Sequence, residues 1–133
     1  RGSRAEALEV CRDRLLKRVS VMILPEGTRA RGHELLPFKD GAFRLAVELG
    51  CPILPIAVAG TRHAMAKGSL LFQHAVAEAH VLEPIPTEGL TLADVPALRD
   101  RVRTLIAETR EALVRELKVK GSGVRGQGSG NYD

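Results

Sequence analysis

The stretch Leu24-Pro25-Glu26-Gly27-Thr28-Arg29 gathers residue types that can grip an anion. Gly27 has no Cβ, so backbone amides there can approach a ligand closely. Thr28 adds a hydroxyl, and Arg29 offers a planar fork of donors that matches a phosphate. Glu26 is the odd member, because a carboxylate beside an anion site repels the anion unless a donor engages it. Its expected task is to orient Arg29 or an upstream arginine rather than to touch the ligand. The plainer alternative is a solvated loop whose Glu26 and Arg29 pair at the surface, worth under about 1 kcal/mol.

The flanking elements decide whether such a loop can be held still. Ser3 and Glu6 have capping-box spacing and open a helix to about Arg18, with Ala5, Leu8, Cys11 or Arg12, Leu15 and Leu16 as its stripe. Val19 to Leu24 is β-branched and apolar, as expected of a strand covered on both faces, and Pro25 ends it. The loop then leaves the carboxyl end of a strand, where open α/β sheets place ligands. Residues 26–39 read as that loop. Asp40 caps a second helix over Gly41 to Leu49, and Gly50 supplies its left-handed end. Ile53 to Ala59 and, more weakly, Ala75 to Leu82 read as further strands. A short turn over Thr91 to Val95 precedes a long helix from Pro96 to about Lys118, with Leu98, Val102, Leu105, Ile106, Thr109, Leu113 and Leu117 on one face. Its other face, rich in Arg and Glu, reads as solvated. The order predicts an α/β fold with a mostly parallel sheet flanked by helices, a long C-terminal helix and a disordered Gly/Ser-rich tail.

Composition narrows the partners. The 133 residues are 44% hydrophobic but only 3% aromatic, with no Trp. The core is therefore aliphatic, and a reader of single-stranded nucleic acid with aromatic stacking platforms is excluded. The net charge of +4 is mild and is explained by solubility alone as readily as by an anionic partner. Cys11 and Cys51 have no paired spacing and read as reduced, buried thiols. The histidines His33, His63, His74 and His80 have no Asp, Glu or Cys at metal-ligand spacing, so no metal is expected. Lys39 and Arg44 flank the second helix as ordinary surface cations or as contacts for an anionic acyl donor. Phe38 and Phe43 read as core packing.

Leu24 to Arg29 resembles the phosphate-binding motif of the glycerolipid acyltransferase family, with Ala30 where that family usually has Ser. Lys39-Asp40-Gly41-Ala42-Phe43 resembles the family's Lys-x-Gly-x-Phe, and Cys51 to Ala57 resembles its apolar-Pro block. The three matches stand in the family's order, and the resemblance covers about residues 1–117. It implies acyl transfer from acyl-CoA or acyl-carrier protein to the free hydroxyl of 1-acyl-glycerol-3-phosphate, giving phosphatidic acid. It implies that Glu26, Gly27, Thr28 and Arg29 bind the acceptor phosphate, with Arg1 as a further candidate. Pro52 and Pro55 then shape the acyl-donor side.

The resemblance also implies a catalytic His-x4-Asp pair, and the sequence has none. Five places after His33, His63, His74 and His80 stand Phe38, Gly68, Ala79 and Ile85. The expectation is therefore the C-terminal part of an acyltransferase domain over residues 1–118, with a tail over 119–133. The catalytic pair is expected upstream, no cofactor is expected, and the isolated chain is expected to be inactive. Work at the cytoplasmic face of the cell membrane, with a lysophospholipid and an acyl thioester as partners and no nucleic acid, follows from the same resemblance. The alternatives are a related enzyme acting on another lysolipid and a non-catalytic anion- or membrane-binding module.

Overall fold

A computed structural model of the chain describes residues 3–28, 34–61 and 76–124, with side chains to residue 121. Arg1, Arg29, His33, His63, His74 and residues 125–133 lie outside the described residues. The chain divides into two compact units, Arg1–Pro55 with Leu82–Leu105, and Ile56–Val81 with Ile106–Asp133.

In the first unit, α1 (Arg4–Leu16) opens on the expected capping box. The Ser3 N–H donates to Glu6 Oε2 (2.6 Å) and the Glu6 N–H to Ser3 Oγ (3.2 Å). The helix buries no residue. Leu8, Cys11, Arg12 and Leu15 are half-buried, and Arg12 pairs with Glu48 of α2 (Gly41–Leu49). A methyl built on Gly41 would come within 2.8 Å of Leu8 Cδ1, so the two helices approach closely there.

The apolar content of α2 goes inward, through Phe43, Leu45, Ala46 and Val47. Phe38 and Phe43 are both buried and stack with ring centroids 6.3 Å apart, confirming their core role. Gly50 ends the helix with φ 63°, as expected. Asp40 does not cap it: its backbone is already helical (φ −69°, ψ −25°), and its carboxylate pairs with Arg99 at 2.6 Å. Behind α2 lies the buried Thr87, whose Oγ1 stands 2.7 Å from Cys51 O and 3.1 Å from Ala46 O.

Two expectations change here. Val19 to Leu24 has no regular structure and joins no ladder among the described residues, and Met22 (82% exposed) and Leu24 (81%) face solvent. Alternating β-branched residues make a strand only where a neighbour accepts their backbone bonds, and none of the described segments does. The expected parallel sheet is not seen either, since pairing among the described residues is antiparallel. An isolated bridge joins Ile53 to Ile85 in the first unit.

In the second unit, β1 (Ile56–Ala59) pairs antiparallel with β2 (Glu78–Val81), in register Ile56 with Val81 through Ala59 with Glu78. The predicted Ile53 to Ala59 strand is thus shortened at Pro55, which has no N–H to give a ladder. Ala57, Ala59 and Leu113 form the buried cluster of this unit, with Ile106, Val114 and Leu117 packed against it. Gly60 follows β1 at φ +87°, and a methyl there would lie 2.0 Å from Val76 O.

A 3-10 turn (Leu92–Asp94), boxed by Thr91 and Asp94, leads into α3 (Val95–Val124). In the first unit α3 buries Val95, Leu98 and Val102. It runs past the expected end at Lys118, because extending an established helix by one residue costs far less than starting one. Cys11 and Cys51 are free and half-buried rather than buried. No helix of the described residues is long and apolar enough to cross a membrane.

Candidate functional site

The loop expected to grip an anion begins as a tight turn. The Gly27 N–H donates to Leu24 O at 3.1 Å, which puts Pro25 and Glu26 at the turn's centre. Proline presets the first central angle of such a turn, and Gly27 closes it at φ +69°, a conformation that costs a residue with a Cβ about 1–2 kcal/mol. A methyl on Gly27 would meet nothing closer than Lys39 Cγ at 3.9 Å, so the constraint is backbone geometry and not space. Pro25 and Glu26 are half-buried, whereas Gly27 and Thr28 are exposed.

Glu26 has a specific partner. The Leu36 N–H donates to Glu26 Oε2 at 2.8 Å across ten residues. A second bond ties the same strands of loop together, from the Lys39 N–H to Pro25 O at 2.9 Å. The carboxylate that looked misplaced beside an anion therefore serves as a backbone acceptor. The expectation that it orients Arg29 falls on a residue outside the described ones. Arg1, the other candidate arginine, falls outside them too.

Residues 35–40 are held in turn by α3. Arg103 Nη2 donates to Leu35 O (2.6 Å) and Arg103 Nε to Leu36 O (3.3 Å). One helical turn earlier, Arg99 pairs with Asp40 at 2.6 Å and with Asp100 at 2.9 Å. Those bonds, to Asp100 first and Asp40 second, hold the Arg99 guanidinium above its ordinary range. Sequence reasoning missed Arg99 and Arg103, which it assigned to a solvated face. The available signal was their four-residue spacing, which puts two forked donors on one side of a helix.

The two prolines separate. Pro55 is buried, and its carbonyl accepts from the Leu82 N–H at 3.0 Å; Pro52 is exposed. Lys39 and Arg44 are exposed, as is His80 on β2. No group of three His, Cys, Asp or Glu able to hold a metal occurs among the described residues.

Residues 1–59 match the family model described as Acyltransferase. The chain is 42% identical over 115 residues to human 1-acyl-sn-glycerol-3-phosphate acyltransferase alpha, covering 86% of this chain and 39% of the relative. Human 1-acyl-sn-glycerol-3-phosphate acyltransferase beta is 46% identical over 82 residues, covering 62% and 30%. Among solved structures, the 1-acyl-sn-glycerophosphate (LPA) acyltransferase PlsC from Thermotoga maritima matches with a TM-score of 0.71 at 30% identity. That match covers 80% of this chain and 44% of the other. The matched part of the chain thus spans 30–44% of the length of these relatives.

Proposed function

We propose, from the premise that this chain is a homologue of the 1-acyl-sn-glycerol-3-phosphate acyltransferases and carries the acyltransferase pattern over residues 1–59, that it holds the phosphate of a 1-acyl-glycerol-3-phosphate acceptor. The reaction served is transfer of an acyl group from acyl-CoA or acyl-carrier protein to the acceptor's free hydroxyl, giving phosphatidic acid. Glu26, Gly27, Thr28 and Arg29 form the grip, with Arg1 as a further cation. The observation that carries this reading is the fixed turn at Glu26, whose carboxylate is occupied by the Leu36 N–H while Gly27 and Thr28 stay exposed. Such a turn leaves the Thr28 hydroxyl open to an anion, with the Gly27 N–H already given to Leu24 O and no loose carboxylate competing for donors.

In the reaction, a base takes the proton of the acceptor hydroxyl, and that oxygen attacks the thioester carbonyl. The new ester C–O bond replaces the C–S bond, and the thiol leaves with a proton. No histidine here has an Asp five places on, so these 133 residues contribute the grip and not that base. On this reading residues 1–118 are part of an acyltransferase domain and 119–133 a trailing segment. Pro52 and Pro55 lie on the acyl-donor side, and the site works at the cytoplasmic face of the membrane.

The test compares binding of a short-chain 1-acyl-glycerol 3-phosphate with the same lipid lacking its phosphate. Saturable shifts of the Gly27 and Thr28 amides with the first only are expected. Equal response to both would remove phosphate recognition from this loop. A panel including other lysolipids separates the preferred acceptor from a related one. A thioester-release assay on the isolated chain is expected to show no turnover.

A further inference from the structure

We infer that Arg103 is a positioning residue for the anion loop, acting through the Leu35–Leu36 backbone on Glu26. The inference rests on the phosphate-grip reading of that loop and adds a residue outside every motif that pointed to it. The Leu35–Leu36 strip is held on two sides: its carbonyls accept from Arg103 (2.6 and 3.3 Å), and its Leu36 N–H donates to Glu26 (2.8 Å). The helix that carries Arg103 is anchored, since Val102 and Leu98 on α3 are 3% and 5% exposed. Arg99 grips the far end of the same segment at Asp40, and the Lys39 N–H ties that end to Pro25. Residues 35–40 therefore work as a splint between α3 and the turn.

The consequence concerns where a negative charge sits. With the strip held, the Glu26 carboxylate has a fixed donor and its charge is partly met. With the strip loose, Leu36 is no longer presented, and an unengaged carboxylate stands within the loop that must receive a phosphate. Like charges so placed disfavour the anion. A forked guanidinium suits this task because it reaches two successive carbonyls at once; an ammonium can serve one of them well.

The experiment uses the 15N-labelled 133-residue chain with sn-glycerol 3-phosphate as the probe, following the Gly27 and Thr28 amides, and hydrogen exchange at the Leu36 amide without probe. Arg103→Met is expected to speed Leu36 exchange about tenfold and to weaken binding about fivefold, with the Ala57 and Ala59 amides unmoved. Arg103→Lys, which keeps the charge and a donor for one carbonyl, is expected to recover part of both losses. In a Glu26→Gln background, Arg103→Met is expected to weaken binding less than in the parent, since an amide left without its donor does not repel phosphate. A role confined to packing would give equal losses in both backgrounds and overturn the inference. Unchanged Leu36 exchange and unchanged affinity in Arg103→Met would overturn it as well. Absence of any probe-dependent shift in the parent chain overturns the phosphate reading itself, and the site that Arg103 serves with it.

Discussion

The Glu26 carboxylate accepts the Leu36 N–H at 2.8 Å, which gives this acidic residue a backbone partner inside the loop proposed to bind a phosphate. A carboxylate with a backbone donor is an anchor, and its charge is partly answered where it stands. Glu26→Ala leaves that half-buried N–H without an acceptor and is expected to cost about 1–3 kcal/mol in chemical denaturation. Glu26→Gln keeps an acceptor in place and is expected to cost less than half as much. Equal losses in the two variants would show that the contact contributes little.

Arg29→Ala is expected to weaken binding of a phosphorylated acceptor by about 2–3 kcal/mol, through loss of a charge-assisted contact. Calorimetric titration with a short-chain 1-acyl-glycerol 3-phosphate reads this directly. An unchanged dissociation constant removes Arg29 from the grip.

Two glycines with left-handed backbone respond differently to alanine. Gly27 has room for a methyl, so Gly27→Ala carries only the conformational cost of about 1–2 kcal/mol. At Gly60 the methyl would also stand 2.0 Å from Val76 O, so the backbone beside β2 must move. Thermal unfolding is expected to place Gly60→Ala well below Gly27→Ala, and the reverse order would contradict the close approach at Val76.

Thr87 is 1% exposed and supplies a proton to the carbonyls at the end of α2. Thr87→Val keeps the shape but leaves Cys51 O without that donor, while Ala46 O keeps the Cys51 N–H at 2.9 Å, at an expected cost of about 1–3 kcal/mol. Thr87→Ser keeps the donor and loses a methyl, costing about 1 kcal/mol. Serine measuring worse than valine would mean that packing, not the hydroxyl, is what matters there.

Met22 and Leu24 are more than four-fifths exposed on a segment that joins no ladder among the described residues. Replacing both with Ser is expected to change stability by less than about 0.5 kcal/mol, whereas two buried positions would cost several. Light scattering is expected to show less self-association, because an apolar strand with open backbone groups recruits other strands.

Much of the local structure was legible in the sequence, because its signals act over a few residues. The Ser3–Glu6 box, the span of α2 with its Gly50 end, and the apolar face of α3 all appear where their side chains placed them. The loop that starts at Glu26 was legible for the same reason, since Pro25 fixes its own φ and lacks a ladder donor while Gly27 is free to adopt its left-handed φ of 69°. Relationships between distant segments were not. Val19 to Leu24 has the composition of a covered strand, but a strand needs partners for its ladder, and composition does not supply them. Asp40 had the right type for a cap and was drawn instead to Arg99, fifty-nine residues away.

The sequence by itself thus determined the residue types offered at residues 26–29 and the helices around them, through capping, side-chain periodicity, the backbone restriction of proline and the backbone freedom of glycine. Only the tertiary structure decided what the Glu26 carboxylate does. That depended on α3 bringing Arg103 to the Leu35 and Leu36 carbonyls, sixty-eight and sixty-seven residues earlier: the apolar face that buries Leu98 and Val102 is a local pattern, but the segment it meets is not.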